Sequence, residues 1–576
     1  MNLVTPLGFR DVLTSEAAER EHITRSVQDL FATRGYLPIE TPTLEVMDVM
    51  ARAGRLPSSS FKFFDSQGDL LAMRPDVTLQ IARMCATRMP DANGVLKFRY
   101  TQRVFREMDG QAQALARELT QIGIENIGCD SLTNCVEADT EVVGLCVQAL
   151  SVAGVSNVVL AIATVAPLRS LLERSGAPDA WKSAVLNAYH ASDFVEVDRL
   201  TDLANLDAST APAYAQAIRN LPRIRGGINA IDEARSLVAP LGCTDGLDQL
   251  QSLCENLQSA NLQAEILVDF SVISSFDYYT GIVFEAYSPY LGSPLGSGGR
   301  YDNMIGVYGN ARPAAGFAFF LERAMEAAAA EAEIAQTAKA AASTAKTASS
   351  LPACRPLRIA VPKGALNEQA INCLEACGLN VDELRNPGRQ LVIKASGAEY
   401  IIVRPSDAPA FVASGAADCG ICGRDSIDEA ALSIVELSDL RFGGCRFVVA
   451  RPEGSAKAIA ERYRRLGSIR VATKYPRITL GHYAKTGMQV EIVKLNGNIE
   501  LAPLTGIAEC IVDITATGTT LRQNKLEIVE DVLDSTARFF ANPCALRTDS
   551  RIVELARKLA DSAKTAEYDP IAGGTK

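Results

Sequence analysis

The segment Asp513 to Leu521, DITATGTTL, places one carboxylate, four threonines and one glycine directly after the apolar run ECIV. A strand ending at Asp513 would deliver a turn whose N–H and hydroxyl groups can converge on an anion. Gly518 permits the positive φ or close approach that such a turn needs. Asp513 is placed to accept hydrogen bonds from the hydroxyls of a sugar attached to a bound phosphate. The alternative is a threonine-capped turn that binds no ligand.

Two further patterns have residue types suited to chemistry. Gln121 and Glu125 lie four residues apart in the strand-like segment ELTQIGIENIG, so both side chains project from one face and can meet one ligand.

Cys419 and Cys422 in DCGICG have the spacing of redox and zinc motifs. Because they sit in an apolar strand pattern with no second pair, we interpret them as buried thiols and predict no metal site.

Length and composition limit the classes of protein that need considering. The 576 residues exceed one hydrophobic core and predict at least two folding units, and 48% hydrophobic with 22% charged residues is typical of a globular protein. A net charge of -11 argues against general nucleic-acid binding. Scattered cysteines, no basic-then-apolar start and no run of about 18 apolar residues predict a cytoplasmic protein without membrane spans.

An alanine-rich segment at residues 326–355 divides the chain and predicts a helical spacer that ends in coil. Residues 356–576 alternate strand-like and helix-like segments, which predicts an α/β domain with largely parallel sheets. Residues 1–325 begin with an amphipathic helix and continue with strands of alternating polarity, which predicts an antiparallel sheet open to a ligand on one face.

Separated motifs in the second domain are similar to ATP phosphoribosyltransferase, the first enzyme of histidine biosynthesis, over residues 357–543. They are VRPSDAPAFVASGAADCGICGRD, RFGGCRFVVARP and KLNGNIELAPLTGIAECIVDITATGTTLRQNKL. In that family the Asp-x-x-x-Thr-Gly-x-Thr loop holds the 5-phosphate of phosphoribosyl pyrophosphate (PRPP). The resemblance assigns PRPP binding to Glu500, Asp513, Thr517, Gly518, Thr519 and Thr520. It assigns catalytic contacts with the phosphates to Lys363, Arg389 and Arg404.

The implied reaction joins N1 of ATP to the anomeric carbon of PRPP and expels pyrophosphate, with Mg²⁺ on the diphosphate. The protein would contribute positioning and electrostatic stabilisation. The family usually continues its first strand with Lys-Gly-Arg, whereas this chain has Ala365 at the third position. The missing guanidinium would weaken leaving-group stabilisation by a few kcal/mol unless another cation replaces it. Only a short segment of the sequence follows these motifs, which resembles the short-form enzymes that depend on a separate regulatory partner.

The first domain is similar to the histidyl-tRNA synthetase core over residues 6–325. The motifs are GFRDVL, LAMRPDVTLQIAR, RVFRE, ARELTQIGIE, FDYYTGIVFEAY and GSGGRYD, and the likeness is closest to the paralog that regulates short-form ATP phosphoribosyltransferase. The resemblance implies a site for free histidine formed by Asp76, Thr78, Arg106, Gln121, Glu125, Tyr278 and Tyr279. Arg106 and Arg323 match the synthetase's ATP-contacting arginines, which leaves adenylate binding open.

Ser274 stands where the synthetase pattern has an arginine that stabilises the developing acyl-phosphate charge. The chain also passes directly into the spacer where an anticodon-reading domain would follow. Both observations favour histidine sensing without aminoacylation or transfer RNA binding.

The two resemblances together predict an α/β and α+β multidomain protein. A class II synthetase-like antiparallel sheet with helices would precede a two-lobed phosphoribosyltransferase of the periplasmic-binding-protein type. Histidine would inhibit the fused enzyme through its first domain, and the chain would form a symmetric dimer or tetramer. The alternatives are an active histidyl-tRNA synthetase with an appended domain and a non-enzymatic small-molecule sensor.

Overall fold

The chain forms two compact units in a computed structural model. The structure describes residues 4–52, 60–92, 94–106, 116–128, 132–204, 206–272, 278–344, 355–515 and 518–565. Unit 1 comprises residues 1–353 and 543–549, and unit 2 comprises residues 354–542 and 550–576. No helix among the described residues is long and apolar enough to cross a membrane.

Unit 1 contains a large sheet and a small one. Its strands are β1 (Leu37–Pro38), β2 (Leu44–Val46), β3 (Lys62–Phe64), β4 (Leu70–Met73), β5 (Leu96–Phe105), β6 (Glu118–Ile127), β7 (Val159–Thr164), β8 (Arg225–Gly226), β9 (Glu265–Asp269), β10 (Ile282–Tyr287), β11 (Gly296–Arg300) and β12 (Ala314–Phe320). The described strands of the large sheet follow the order β1-β5-β6-β12-β11-β10-β7-β9-β8, and β2-β4-β3 form the small sheet. Pairing from β5 to β7 is antiparallel, as the alternating polarity predicts.

The helices of unit 1 cover this sheet and its connections. They are α1 (Thr14–Thr33), α2 (Met47–Ala51), α3 (Thr78–Arg88), α4 (Leu132–Val152), α5 (Ala166–Arg174), α6 (Asp179–His190), α7 (Phe194–Leu200), α8 (Pro212–Asn220), α9 (Ala230–Val238), α10 (Leu247–Ser259) and α11 (Leu321–Thr344). Helix α1 buries Ile23, Val27 and Phe31, which the four-residue spacing places on one face. Much of the predicted spacer is the later part of α11, and residues 345–354 lie outside the described residues.

Unit 2 contains two sheets, which define two lobes. Its strands are β13 (Leu357–Pro362), β14 (Val392–Ala395), β15 (Ala398–Val403), β16 (Cys419–Gly423), β17 (Val435–Asp439), β18 (Cys445–Pro452), β19 (Ile469–Thr473), β20 (Val490–Lys494), β21 (Cys510–Thr515), β22 (Leu526–Ser535) and β23 (Ala537–Ala541). The described part of lobe A has the order β14-β15-β13-β16-β23-β17, and that of lobe B has the order β20-β19-β21-β18-β22.

Helices alternate with these strands along the chain. They are α12 (Asn367–Ala376), α13 (Asp382–Arg385), α14 (Ala408–Ala413), α15 (Arg424–Ala430), α16 (Ala456–Leu466), α17 (Pro476–Thr486), α18 (Leu501–Leu504), α19 (Thr519–Gln523), α20 (Pro543–Thr548) and α21 (Ser550–Thr565). Short 3₁₀ turns also occur at Leu221–Arg223, Ala239–Leu241, Ile305–Val307 and Gly364–Leu366. Helix α20 belongs to unit 1, although the strand before it and the helix after it belong to unit 2.

The prediction of largely parallel sheets in the second domain is wrong for about half of the strand pairs. Strand β13 runs parallel to β15 and β16, and β19 runs parallel to β20 and β21. Strands β14, β17, β18, β22 and β23 add antiparallel pairs. Two connections lack a crossover helix: β14 turns directly into β15, and β22 in lobe B continues almost directly into β23 in lobe A.

Candidate functional site

A cavity of about 130 Å³ opens in unit 1 between the large sheet and the start of α3. We call it the unit 1 pocket. Strand β6 pairs in antiparallel register with β5 on one side and β12 on the other. Residues of β6 and β12 and residues at the start of α3 line the cavity. The cavity is lined by the predicted histidine-site residues Asp76, Thr78, Arg106, Gln121, Glu125, Tyr278 and Tyr279. Both tyrosines line the cavity, although strict strand alternation would turn one of them away.

Asp76 and Gln121 offer acceptor atoms to this pocket. Both residues are buried. Asp76 Oδ1 accepts a 3.2 Å hydrogen bond from the Leu79 backbone N–H. Among the described residues, Asp76 Oδ2 and Gln121 Oε1 have no hydrogen-bond partner. Burial raises the pKa of Asp76 to about 6. Because unpaired buried acceptors are costly, this pair suits a ligand that brings N–H donors.

Glu125 is held by hydroxyl groups at the base of the pocket. The Thr78 hydroxyl donates to one carboxylate oxygen at 2.7 Å, and the Tyr301 hydroxyl donates to the other. The Tyr100 hydroxyl lies 3.4 Å from the first oxygen. Burial raises the pKa of Glu125 to about 8, although these hydrogen bonds oppose the shift. The carboxyl group is therefore orientated for a ligand and is easily protonated near neutral pH.

Aromatic rings and two guanidinium groups form the remaining walls. The rings of Tyr278 and Tyr279 lie 4.7 Å apart between centroids. Arg106 and Arg323 both lie over the Phe320 ring, at 5.0 and 4.4 Å from its centroid. Burial lowers the pKa of Arg323 to about 10, and the neighbouring Arg106 adds to that shift. These cations suit an anionic group of the ligand, and the rings suit its flat part.

Two glycines leave room for these side chains. A Cβ atom on Gly316 in β12 would lie 1.8 Å from a carboxylate oxygen of Glu125. A Cβ atom on Gly299 in β11 would lie 2.7 Å from the Tyr279 ring. The GSGGRYD motif therefore supplies a close backbone approach, as the sequence predicts.

Tyr301 and Glu285 are among the pocket residues that sequence reasoning did not select. Tyr301 follows the glycines of GSGGRYD and lines the cavity through its bond to Glu125, and Glu285 of β10 also lines it. Alternation along FEAY in β10 could have indicated Glu285, but only the tertiary fold brings Tyr301 to the same place. Ser274, where the synthetase pattern has arginine, lies outside the described residues.

The backbones of the predicted catalytic cations of unit 2 lie at one edge of lobe A. Lys363 follows β13 and donates its backbone N–H to the Val403 carbonyl at 2.8 Å, directly before Arg404. Arg389 precedes β14, whose antiparallel register with β15 brings that end of β14 to the same edge. All three cations are exposed, which suits both a bound phosphate and the ordinary alternative of solvated surface charge.

Asp513 and Gly518 lie where the sequence places them. Asp513 is a half-buried residue of β21, and one of its oxygens accepts a 2.8 Å hydrogen bond from the Ile514 N–H. Gly518 has φ 69°, and its N–H donates to the Thr515 hydroxyl at 2.8 Å. Helix α19 starts at Thr519, and the hydroxyl-bearing residues Thr519 and Thr520 are exposed. Thr517 lies outside the described residues.

Asp513 belongs to a small group of charges. Its pKa is raised to about 6, mainly by burial and in part by the Glu500 carboxylate, while the Ile514 N–H and the Lys474 ammonium oppose the shift. Lys474 follows β19, which is parallel to β21, so the carboxyl ends of neighbouring strands bring the two residues together. Sequence reasoning did not select Lys474, because a lone lysine after a strand carries no distinguishing signal.

Two carboxylates of lobe A bind groups of lobe B or its boundary. The Ser535 hydroxyl, at the end of β22, donates to the buried Asp425 at 2.8 Å. Glu429 of α15 accepts backbone hydrogen bonds from Arg477 and Ile478 at 3.1 Å, at the start of α17. These contacts join the two lobes, and neither residue was predicted from sequence.

The C-x-x-C pair lies in β16, where Cys419 and Cys422 are both fully buried. Burial raises the pKa of the Cys422 thiol well above its usual range. A buried, protonated thiol is a poor nucleophile and a poor metal ligand, which favours the packing interpretation.

Comparison with known proteins then relates each unit to a family. A family model described as histidyl-tRNA synthetase matches residues 8–324, and a model described as ATP phosphoribosyltransferase matches residues 404–561. The ATP phosphoribosyltransferase of Rubrobacter xylanophilus is 50% identical over 188 residues, which are 33% of this chain and 87% of that protein. The chain belongs to the ATP phosphoribosyltransferase family.

Another part of the chain is similar to a regulatory subunit of the same enzyme. The ATP phosphoribosyltransferase regulatory subunit of Moorella thermoacetica is 34% identical over 324 residues, which are 56% of this chain and 81% of that protein. A crystal structure described as an ATP phosphoribosyltransferase regulatory subunit/histidyl-tRNA synthetase, from Bacillus halodurans, matches with a TM-score of 0.51 at 26% identity. The match covers 70% of this chain and 93% of that one.

These findings confirm the predicted fusion, the multidomain α/β fold and the enzyme class. The chain is a pentosyl-transferring enzyme of histidine biosynthesis that carries a synthetase-like regulatory part in the same polypeptide.

Proposed function

We propose that unit 2 joins ATP to PRPP at the ends of β13, β15 and β21. Asp513 and Glu500 bind the ribose hydroxyls, and Thr517, Gly518, Thr519 and Thr520 hold the 5-phosphate. The observation that supports this most directly is the half-buried Asp513 beside Glu500, five residues before Gly518, whose φ is positive. Lys363, Arg389 and Arg404 bind the phosphates that carry the developing negative charge.

The chemistry needs few groups. Positive charge develops on the ribosyl carbon as the bond to pyrophosphate breaks, and negative charge builds on the leaving group. Because the pKa of Asp513 is about 6, its carboxylate is ionised at neutral pH and stabilises the positive sugar. The exposed cations stabilise the leaving pyrophosphate, and the residues around both substrates orientate N1 of ATP.

Mg²⁺ enters this proposal with the substrate. The described residues contain no group of three or more His, Cys, Asp or Glu side chains that could hold a metal. The diphosphate of PRPP supplies oxygen ligands for the ion, and Asp513 and Glu500 offer two carboxylates of the type that Mg²⁺ prefers. When bound, the ion neutralises charge on the leaving diphosphate.

Ala365 replaces the family's arginine at the end of the first strand of lobe A, and we propose that Lys474 compensates in part. It is the cation that acts on the Asp513 carboxylate, so it lies near the ribose and diphosphate positions. A purified Lys474→Ala variant should then lose more activity than an exposed lysine variant such as Lys457→Ala. Equal activity in both variants would remove Lys474 from the site.

The phosphate cations can be tested with the full chain. ATP, PRPP and Mg²⁺ are mixed with the protein, and formation of phosphoribosyl-ATP is followed by its ultraviolet absorbance. We expect Arg404→Ala to lower kcat/KM for PRPP by about 100-fold, the usual cost of losing one preorganised donor in a transition state. Lys457→Ala, on the exposed surface of α16, serves as the matched control. An unchanged kcat/KM in Arg404→Ala would contradict the assignment.

We propose that histidine binds the unit 1 pocket and lowers the activity of unit 2. The observation that supports this is the pair of buried acceptors, on Asp76 and Gln121, that lack partners among the described residues. An ammonium group fits Asp76 and Gln121, an imidazole N–H fits Glu125, and the tyrosine rings cover the ring. Arg106 is placed for the carboxylate. Thr78 orientates Glu125 through its 2.7 Å hydrogen bond.

Isothermal titration of the full chain with L-histidine tests this binding, and histamine, which lacks the carboxylate, is the matched comparison ligand. We expect histidine to bind more tightly than histamine and to inhibit product formation. No heat signal with histidine and no change in rate would contradict the proposal.

Three further features remain proposals. The functional parts correspond to residues 1–325, a spacer at 326–355 and residues 356–576. The chain forms a symmetric homo-oligomer of two or four copies, which sedimentation would detect. The protein acts in the cytoplasm and does not bind transfer RNA.

A further inference from the structure

Helix α20 is a segment of the transferase half of the sequence that belongs to unit 1. The chain enters unit 1 at Pro543 and leaves it after Asp549. Within unit 1, α20 packs on β7 and β10 of the large sheet. Cys544 and Leu546 are buried, and Cys544 is part of the main hydrophobic core of unit 1. The helix is therefore an integral part of unit 1 and not a surface loop.

Arg547 anchors α20 through buried polar contacts. Its Nε lies 3.5 Å from a carboxylate oxygen of the fully buried Asp269, and its guanidinium lies 5.2 Å from the centroid of the Tyr287 ring. A second nitrogen lies 3.4 Å from the Ser271 hydroxyl. Asp269 is also paired with Arg225 at 2.7 Å. Because buried charges are expensive to separate, these contacts hold α20 in one position.

Tyr287 connects this anchor with the unit 1 pocket. Tyr287 and Glu285 are two residues apart on β10, so their side chains project from the same face. The Tyr287 hydroxyl donates a hydrogen bond to a carboxylate oxygen of Glu285, and Glu285 lines the pocket. The contacts from Arg547 through Tyr287 to the cavity are therefore continuous.

Both ends of α20 continue into elements that shape the transferase. Strand β23 ends at Ala541, and α21 begins at Ser550. Strand β23 pairs with β16. Ser535, two residues before the start of β23, donates a hydrogen bond to Asp425, which lies just after the end of β16. Helix α20 is thus covalently continuous with β23, the strand of lobe A that follows β22 of lobe B.

We propose that α20 is the coupling element through which the unit 1 pocket regulates the transferase, with Glu285, Tyr287 and Arg547 as its positioning residues. This inference rests on the proposed binding of histidine in that pocket. An N–H donor of the ligand that reaches Glu285 draws its carboxylate towards the cavity and weakens the hydrogen bond from the Tyr287 hydroxyl. Glu285 then has two arrangements, bound to Tyr287 or bound to ligand, and the ligand shifts the balance between them. Tyr287 passes the change to Arg547 and so to α20.

The test uses the full chain with two substitutions outside the pocket. Tyr287→Phe removes the hydrogen bond to Glu285 and keeps the ring under Arg547. Arg547→Met removes the anchor charge, while Arg225 still compensates Asp269. We expect both variants to bind histidine within about twofold of the wild type and to keep the uninhibited rate. The histidine concentration that halves the rate should rise about tenfold or more, within the usual range of allosteric coupling.

Tyr189→Phe is the matched control, because Tyr189 is an equally buried tyrosine of unit 1 whose hydroxyl donates to the Ile218 carbonyl at 2.5 Å. It should keep normal inhibition. Unchanged inhibition in Tyr287→Phe and Arg547→Met, with wild-type inhibition intact, would overturn the coupling role alone. Loss of histidine binding in Tyr287→Phe would also overturn it, because the residue would then belong to the pocket. A wild-type protein that does not bind histidine would instead overturn the proposed regulation.

Discussion

Asp76→Asn tests the unit 1 pocket with the smallest change of shape. The substitution keeps the oxygen that accepts from the Leu79 N–H at 3.2 Å and replaces the oxygen that has no partner among the described residues. In the proposed complex that second oxygen receives the ligand's ammonium. A hydrogen bond to a charged group contributes about 1.5–3 kcal/mol. At about 1.4 kcal/mol per factor of ten, Kd for histidine should rise about 10- to 150-fold.

The measurement is isothermal titration with L-histidine at pH 7.5, where Asp76 with a pKa of about 6 is ionised. Unfolding would not explain weaker binding. Burial disfavours the charged form of Asp76 in the folded state, so a neutral Asn removes an electrostatic cost at this pH. Thermal denaturation should therefore show an equal or higher Tm for the variant.

Asp193→Asn provides the matched control, because Asp193 accepts a backbone hydrogen bond from Glu196 with the same three-residue spacing but far along the sequence from the pocket residues. It should leave Kd unchanged. If Asp76→Asn bound histidine as tightly as the wild type, Asp76 would not contact the ligand's ammonium and the assignment of the pocket would be wrong.

Three other substitutions have defined outcomes. Gly316→Ala should abolish histidine binding, because its Cβ would lie 1.8 Å from a Glu125 oxygen, whereas Gly144→Ala, whose Cβ meets nothing within 4 Å, should bind normally in the same titration. Burial raises the pKa of Glu125 to about 8 in the folded protein, compared with about 4.3 in the unfolded chain, so unit 1 should lose stability as pH rises between these two values. The Tm of the wild type should therefore fall between pH 5 and 9, and Glu125→Gln should reduce that fall. An equal fall of Tm in the variant and the wild type would contradict the raised pKa. Asp513→Asn should lower kcat/KM for PRPP about 10- to 150-fold. It should also remove the fall in rate that protonation of Asp513 causes below pH 6, and an unchanged pH profile in the variant would exclude Asp513 as the titrating group.

The secondary structure and the shared face of Gln121 and Glu125 follow from local patterns, whereas the other residues of the histidine site were assigned by the family resemblance. The alternation in ELTQIGIENIG predicts that Gln121 and Glu125 share a face, and both line the unit 1 pocket. The ECIV run predicts a strand up to Asp513, and β21 ends at Thr515. These inferences succeed because strand periodicity and glycine conformations are local properties of the chain.

Other features depend on contacts between distant parts of the sequence. The bond between Asp425 and Ser535 joins residues 110 positions apart. The Tyr301 hydroxyl reaches Glu125 across 176 positions. The position of Arg547 in unit 1 breaks the order of domains along the chain. No local spacing carries information on such contacts, so only the tertiary structure identifies them.

The central claim is that one polypeptide both makes phosphoribosyl-ATP and responds to histidine. The direct measurement mixes the purified full chain with ATP, PRPP and Mg²⁺ and follows product absorbance while L-histidine is added. The account predicts product formation that falls to a low plateau as histidine saturates the unit 1 pocket, and Asp76→Asn should shift that titration to higher concentration. Product formation that histidine does not affect at any concentration would contradict regulation through unit 1, and no product without histidine would contradict the transferase assignment itself.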